Sequence, residues 1–169
     1  MPFDRQPHLK GALVELRPLT AEDYAELRAA GSDPLIWEQH PSSDRYKEEV
    51  FKQFFDDALA SGGTLIAFDA SDGTVIGTSR FHGYDDENSE VEIGWTFLKR
   101  SHWGGRYNGE MKQLMLTHAF KFVSNVVFLI GPNNLRSQKA LEKIGGVRIG
   151  MRLNTLGHES VVYRITAPS

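Results

Sequence analysis

One segment decides the fold of this chain. It is Glu90–Ile130, which reads EVEIGWTFLKRSHWGGRYNGEMKQLMLTHAFKFVSNVVFLI. Within it, Glu90–Leu98 and Val126–Ile130 have the length and the apolar content of β-strands. Between them, from about Tyr107 to Val123, apolar side chains recur at the spacing of an amphipathic helix: Met111, Leu114, Met115, His118, Ala119 and Phe122. A strand, a helix and a strand at this spacing predict a parallel βαβ unit.

The segments on either side of this unit predict an antiparallel sheet. Strands are expected at Leu13–Leu19, Thr64–Phe68, Val75–Phe81, Val147–Leu153 and Ser160–Ile165. Three further helices are expected, from Thr20 to Gly31, from about Asp44 to Ala60 and from Asn134 to Ile144. Together these elements predict an α+β fold, in which one parallel crossover lies within a mixed, mostly antiparallel sheet.

The length and composition are those of one globular domain. The chain has 169 residues, 40% hydrophobic and 24% charged, with a core expected over residues 13–165 and an N-terminal extension at 1–12. No run of about 18 apolar residues is present, and the start MPFDRQPHLK has no apolar signal segment. We therefore expect a cytoplasmic protein with no membrane partner. The absence of cysteine excludes disulfides, thiolate metal sites and cysteine nucleophiles.

Charge is divided unevenly along the chain. Between Lys99 and Lys143, eight basic residues stand against two acidic ones, so this segment carries +6 and the remainder −9 of a net charge of −3. Such a division favours an anion-binding face on an otherwise acidic protein, although lysines on helices are often only solvated. No nucleic-acid partner is predicted, because the whole chain is acidic and no recognition motif accompanies the basic segment.

A glycine-bearing turn joins the first strand of the βαβ unit to its helix. It reads GGRYNG over Gly104–Gly109 and is called the glycine turn below. Glycine lets backbone N–H groups approach an anion, and a helix N-terminus adds partial positive charge, so this turn suits a diphosphate. Neither G-x-x-x-x-G-K-[ST] nor G-x-G-x-x-G is present, so P-loop and dinucleotide sites are poorly supported. H-E-x-x-H and G-x-S-x-G are also absent, and no metal is expected.

A second motif follows the βαβ unit and reads GPNNLRSQKALEKIGG over Gly131–Gly146. Together with Trp103–Glu110, WGGRYNGE, it resembles the GNAT superfamily of acyl-CoA N-acyltransferases, and most of all the branch of the ribosomal-protein N-terminal alanine acetyltransferases. That branch typically carries W-G-x-G-Y-A-x-E-A and, later, N-x-x-S-x-x-x-[LV]-E-K-x-G. The opening Val14–Asp23 and the strand Val91–Trp95 resemble it too, so the likeness extends from about residue 13 to 165.

The resemblance implies a twisted sheet of about six to seven strands with helices on both faces, and acetyl-CoA as the acyl donor. It places the pantetheine arm along the strand that contains Gly94, where a bulge or a close backbone approach is expected. Asn134 resembles the residue that contacts the pantetheine amide, and it is equally suited to cap the following helix. The implied cofactor-binding residues are Phe97, Leu98, Lys99, Trp103, Gly104, Gly105, Arg106, Tyr107, Asn108, Gly109, Asn134 and Arg136.

Two side chains are candidates for proton transfer. A primary amine has a pKa near 10, so delivering it neutral at pH 7 costs about 4 kcal/mol, and a carboxylate reached directly or through a water can take its proton. Glu92 lies on the strand expected to face the acyl group, with a plain surface glutamate as the equal alternative. Ser137 lies where the family often places the hydroxyl that protonates the leaving thiol, with helix capping as the alternative.

The expected function is acetyl-CoA-dependent N-acetylation of a primary amine, on a protein N-terminus or a small molecule, by direct transfer in a ternary complex. Trp37, His40 and Tyr46 fall where the family builds its acceptor pocket, although such aromatics are more often core. The acidic stretch Asp85–Glu87 is suited to attract a cationic amine. The family's second turn glycine is Arg106 here, which is strained if the position needs a positive φ, and whose guanidinium is alternatively suited to pair with the cofactor phosphates. This change keeps a CoA-binding sensor without turnover as the alternative, and exposed edge strands suggest a homodimer.

Overall fold

The computed structural model describes residues 3–168 and shows one sheet with helices on both faces. Eight strands follow the chain order: β1 Leu9–Lys10, β2 Val14–Pro18, β3 Thr64–Asp69, β4 Val75–Asp85, β5 Glu90–Leu98, β6 Asn125–Ile130, β7 Val147–Leu153 and β8 Glu159–Thr166. Four α-helices accompany them: α1 Tyr24–Ala30, α2 Glu48–Ser61, α3 Arg106–Ala119 and α4 Leu135–Lys143. Single 3-10 turns lie at Ala21–Asp23, Pro34–Ile36 and Arg100–His102.

The sheet is mixed, as predicted, and contains one parallel pair. Its strand order is β1-β2-β3-β4-β5-β6-β8-β7, and every neighbouring pair is antiparallel except β5 and β6, which α3 connects. The sheet has eight strands rather than the expected six to seven. The additional strand is the short β1, which lies in the N-terminal extension and pairs Leu9 with Leu16. Two residues are too few to show the alternation by which a strand is recognised in a sequence.

Element ends differ from the predictions where turns compete with helix or strand. Helix α2 begins at Glu48 rather than Asp44, because residues 44–47 form a turn in which Lys47 N donates to Asp44 O. Strand β4 continues to Asp85, beyond the predicted end at Phe81, so Gly83 belongs to the strand. The capping box at the start of the first helical segment is present, with Thr20 N donating to Asp23 Oδ2 at 2.8 Å.

Two apolar cores lie on the opposite faces of the sheet. One contains Met111 and Met115 of α3 together with Val91 and Ile93 of β5. The other contains the aromatic side chains of α2 packed against Phe97 of β5. Because alternate side chains of β5 point to opposite faces, this central strand contributes to both cores. Burial in both cores fixes the position of β5, and with it the residues discussed below.

The outer strand β7 is exposed along its whole length. Its apolar side chains Val147, Ile149, Met151 and Leu153 are 40–65% exposed. Such an edge is suited to pairing with a strand of another molecule. A homodimer formed in this way stays a prediction. No helix within residues 3–168 combines the length and the apolar character needed to cross a bilayer.

Candidate active site

A gap opens in the middle of the sheet where β5 and β6 separate. The two strands are paired only between Glu90–Glu92 and Asn125–Val127, and the rest of β6 continues beside β8. The pairing of β5 with β4 shifts register between Gly94 and Phe97, where Trp95 has a positive φ of 53°. This is the bulge expected near Gly94, and bulges bend a strand away from its neighbour. The β6-facing edge of β5 beyond Glu92 therefore has no strand partner.

The glycine turn lies at the open end of this gap and starts α3. Gly104 and Gly105 have φ values of 115° and 99°, which only glycine adopts readily. Arg106 is the first helical residue and has no positive φ, so the two preceding glycines take the unusual backbone and arginine is not strained. Gly109 N donates to Gly105 O at 2.8 Å, which makes this the first bond of the helix.

The amides before that bond form an anion-binding helix terminus. Arg106, Tyr107 and Asn108 precede the first intrahelical donor, so their N–H groups have no partner within α3. The helix dipole adds partial positive charge at the same point. Gly109 lies beside them, but its own amide is used by the helix.

The two sequence motifs meet at Trp103 and Arg136. The indole Nε1 of Trp103 donates to Leu98 O at 2.9 Å, which folds the turn back onto the end of β5. The Arg136 guanidinium stacks over the same ring, 4.1 Å from its centroid. The amide of Arg136 donates to Gln39 Oε1 at 3.1 Å. Arg136, at the start of α4, is thus held beside the glycine turn.

Several residues predicted to bind the cofactor use their side chains elsewhere. Phe97 is buried in the aromatic core, and the amide of Lys99 donates to Ile76 O at 2.8 Å. The Tyr107 hydroxyl lies 3.5 Å from Asp69 Oδ2, and its ring packs edge-on against His102. The Lys99 amide is therefore bonded to β4 and is not free at the gap.

The start of α4 has the helix cap that was expected as the alternative role of Asn134 and Ser137. Asn134, 8% exposed, accepts a hydrogen bond from Ser137 N through Oδ1 at 3.4 Å, so it caps this helix. Ser137 is half-buried, and its hydroxyl has no hydrogen-bond partner among residues 3–168. The backbone amide of Ser137 therefore forms the cap, whereas its hydroxyl is available to hydrogen-bond a ligand.

Glu92 lies where β5 and β6 begin to separate. A Cβ atom built on Gly94 would lie 3.1 Å from Glu92 Oε2, so the glycine leaves room for this carboxylate. Burial raises the pKa of Glu92 to about 7, although Arg80 and Arg152 act to lower it. A carboxylate with this pKa accepts and releases protons near neutral pH, as a general base requires.

A groove of about 880 Å³ lies on the α2 face of the sheet and is called the α2 groove below. Its walls come from the N-terminal segment, α2, β4, Trp95 of β5 and the hairpin between β7 and β8. Arg80 of β4 lies there with its guanidinium 4.3 Å from the Trp95 ring centroid. His82 packs edge-on against the same ring at 5.1 Å. Arg80, His82 and Glu92 share this face of the sheet, because Arg80 pairs with Gly94 and His82 with Glu92.

The residues expected to form the acceptor pocket lie outside this lining. Trp37 is 2% exposed and donates to Gly31 O, so it is a core residue. His40 is largely buried, which lowers its pKa to about 3, and Tyr46 packs against the same core. In the acidic stretch Asp85–Glu87, Asp85 accepts hydrogen bonds from Asn88, which closes the turn.

Two buried cations were missed from the sequence. Arg80 is 5% exposed within the buried part of strand β4, and Lys112 is 4% exposed on the inner face of α3. Lys112 Nζ donates to Thr96 Oγ1 at 3.0 Å and to Asn108 Oδ1 at 3.4 Å, and burial lowers its pKa to about 7. The signal was available, since Lys112 occupies a helical position next to Met111 and Met115 where an apolar residue is expected.

Taken together, the arrangement provides an anion-binding helix start, an unpaired strand edge, a carboxylate with a pKa near neutrality and a ligand-sized groove. No cluster of three potential metal ligands occurs within residues 3–168. These are the parts needed to hold a phosphate-bearing donor on one side of the sheet gap and a second molecule on the other.

Comparison with known proteins agrees with this arrangement. A family model described as acetyltransferase (GNAT) domain matches residues 14–147. The uncharacterized N-acetyltransferase p20 of Bacillus licheniformis is 26% identical over 147 residues, which cover 82% of this chain and 81% of p20. A GCN5-related N-acetyltransferase from Brucella melitensis superposes with a TM-score of 0.81 at 20% identity, covering 98% of this chain and 80% of that one.

A third similar structure is RimJ of Mycobacterium smegmatis in complex with CoA-disulfide. It superposes with a TM-score of 0.68 at 19% identity, and the match covers 91% of this chain and 82% of RimJ. At such identities the two structural likenesses establish the fold, whereas the family match extends over most of the sequence. The chain therefore belongs to the GNAT family of N-acetyltransferases.

Proposed function

We propose that this protein transfers the acetyl group of acetyl-CoA directly to a primary amine while both are bound. The observation that carries the proposal is the start of α3. There, two glycines with left-handed backbones precede three amides without helical partners, at the open end of the gap beside β5. Open space surrounds both glycines, since a Cβ built on Gly104 or Gly105 meets no atom within 4 Å.

This start of α3 fits the diphosphate of coenzyme A. The amides of Arg106, Tyr107 and Asn108 would donate to the phosphate oxygens, and the side chain of Arg136, stacked on Trp103 beside the turn, would add positive charge. The unpaired edge of β5 offers backbone groups to the pantetheine arm, as an added strand would use them. When bound, acetyl-CoA supplies an activated acetyl thioester, and the chain itself supplies position and proton transfer.

Glu92 acts in this proposal as the base that removes a proton from the acceptor amine. Its carboxylate lies on the α2 face, at the point where the gap begins, and its pKa of about 7 matches the working pH. Proton transfer to a positioned group of this kind contributes about 10²–10⁴-fold to the rate. The half-buried hydroxyl of Ser137, which has no other partner among residues 3–168, is proposed to protonate the departing thiol.

The acceptor binds in the α2 groove. This groove and the glycine turn meet at β5, since Trp95 lines the groove while Leu98 is bonded to the turn through Trp103. Trp95 thus joins the groove to the strand whose free edge is proposed to hold the pantetheine arm. The amine belongs to a small molecule or to a protein N-terminus.

Binding and turnover test the proposal separately. Acetyl-CoA at 100 times its dissociation constant is expected to stabilise the fold by about 2.7 kcal/mol, measured as a rise in melting temperature. Thiol release is then followed across a panel of amines and N-terminal peptides. Stabilisation without turnover on any amine supports the alternative of a silent CoA sensor. The helical backbone of Arg106 removes the strain argument that favoured this alternative.

A further inference from the structure

The α2 groove carries more positive than negative charge. Three arginines line it, Arg5, Arg45 and Arg80, against the single carboxylate of Asp57. Amines reach an enzyme mainly as ammonium ions, because their pKa lies near 10. A simple ammonium ion is repelled by such a lining, so the lining indicates an acceptor that also carries negative charge.

Arg80 presents the geometry that a carboxylate needs. It is 5% exposed, and its Nε and Nη2 atoms are buried without a hydrogen-bond partner among residues 3–168. These two nitrogens form one edge of the guanidinium plane, the edge that donates two parallel hydrogen bonds to a carboxylate. Burial lowers the pKa of Arg80 to about 10, so the group remains charged at neutral pH. The Trp95 ring fixes the guanidinium plane from one side.

Arg45 repeats this feature in the same groove. Its Nε is buried without a partner, while its Nη2 donates to Ser42 Oγ at 3.1 Å. Its guanidinium lies 4.4 Å from the Phe54 ring centroid. Within the described residues, the other buried nitrogen without a partner is Arg28 Nη1, which does not line the groove. Buried donors left unpaired are costly, so three of them on two arginines in one groove indicate a ligand with matching acceptors.

The distance from Arg80 to Glu92 limits the length of the acceptor. Arg80 pairs with Gly94 across β4 and β5, and Glu92 stands two residues before Gly94 on the same face. The Cα atoms of such diagonal neighbours on adjacent strands lie roughly 7–8 Å apart. A short molecule thus spans from the proposed base to the guanidinium, and the volume of about 880 Å³ is that of a small-molecule pocket.

We propose that the acceptor is a short amine that also bears a carboxylate, held by the Nε–Nη2 edge of Arg80 with Arg45 adding positive charge. The carboxylate then lies at Arg80 and the amine lies toward Glu92. This inference rests on the proposed function, because it names the acceptor class of the same site.

The test compares 4-aminobutyrate with butylamine as acceptors at about pH 9, where Glu92, with its pKa of about 7, is ionised. In the wild type, kcat/KM for 4-aminobutyrate is expected to exceed that for butylamine by at least about tenfold. Arg80→Gln should lower this ratio about 10- to 100-fold, mostly through KM, and Arg80→Lys should lower it less. Arg164→Gln, an exposed arginine on β8, should leave the ratio unchanged.

Binding is also measured without turnover, as the rise in melting temperature that 4-aminobutyrate produces in each variant. A rise that is lost in Arg80→Gln and kept in Arg164→Gln supports the carboxylate site. Equal turnover of the two amines, or preference for a peptide N-terminus over both, overturns this inference and leaves the proposed function standing. If acetyl-CoA itself fails to stabilise the protein, the proposed function falls, and 4-aminobutyrate binding still decides the carboxylate site. Should Arg80→Gln misfold by circular dichroism, Arg80→Lys carries the comparison.

Discussion

The cofactor side and the α2 groove are built from different parts of the chain. On the cofactor side the binding groups are main-chain amides of the glycine turn, placed by two left-handed glycines and the start of α3. In the α2 groove they are the side chains of Arg80 on β4 and Arg45 on a separate loop, while Glu92 lies on the same face of the sheet but outside the groove lining. A site made of amides constrains the backbone and tolerates side-chain change, whereas a site made of side chains can change its ligand one residue at a time.

The largest expected effect tests the side-chain region. Glu92→Gln removes the proposed base at nearly constant shape, and kcat should fall about 10²–10⁴-fold while acetyl-CoA affinity is kept. In the wild type, log kcat should rise with pH and level off above about 7, because burial raises the pKa of Glu92 to that value and only the ionised form accepts a proton. Steady-state rates from about pH 5 to 9 measure both effects.

Glu90→Gln is the matched control for this variant. Glu90 lies on the same strand and is ion-paired to Arg152 at 3.1 Å, on the surface. The kcat of Glu90→Gln should stay within about threefold of the wild type, and its rate should level off at a lower pH, because the Glu90 carboxylate helps to raise the pKa of Glu92. If Glu92→Gln keeps more than about a third of the wild-type kcat, Glu92 is not the base.

The second prediction concerns Lys112, which connects α3 to Thr96 at the bulge of β5. Burial lowers its pKa from 10.5 to about 7, so between these values the unfolded chain binds more protons at this residue than the folded chain. Stability therefore rises with pH in this window, by up to about 1.4 kcal/mol per pH unit. Lys112→Met should remove this rise.

Urea unfolding at about pH 7.5 and 9.5 measures this difference. The free energy of unfolding of the wild type, taken relative to Lys112→Met, should increase by about 2 kcal/mol between these two values. Lys121→Met removes an exposed lysine near the end of the same helix and should show no such increase. Parallel pH profiles for the wild type and Lys112→Met would mean that Lys112 is charged in the folded protein.

The two regions also differ in how far they could be predicted from the sequence. Periodicity located β5, α3 and β6, and the glycine turn was located because glycine and a helix start have local signatures. Arg80 and Glu92 come onto one face only through the register of β4 against β5, and Arg45 meets Arg80 only through the packing of the turn before α2, and neither is a local property of the sequence. The family resemblance implied an acceptor pocket at Trp37, His40 and Tyr46, but aromatic residues suit both pockets and cores, and packing decides between the two.

The third prediction tests the main-chain region with two glycines of the same turn. Gly105 has a φ of 99°, so Gly105→Ala should destabilise the fold by about 1–2 kcal/mol and weaken CoA binding. Gly109 is helical with open space around it, so Gly109→Ala should stabilise the fold by up to about 1 kcal/mol and leave CoA binding intact. Urea unfolding and calorimetric titration with CoA measure the two pairs of values. Unchanged CoA affinity in Gly105→Ala would contradict the assignment of the diphosphate to this turn.

The smallest expected effect separates catalysis from capping at the start of α4. Thiols have a pKa near 8.5 and leave readily as thiolates, so Ser137→Ala should lower kcat only about tenfold. Its stability should be unchanged, because Asn134 accepts from the backbone amide of Ser137 and not from its hydroxyl. Asn134→Ala should lower the free energy of unfolding by about 1 kcal/mol through loss of the cap. A Ser137→Ala enzyme with wild-type kcat would mean that the thiol leaves without this acid, and the base at Glu92 would then be the one side chain in the proposal that moves a proton.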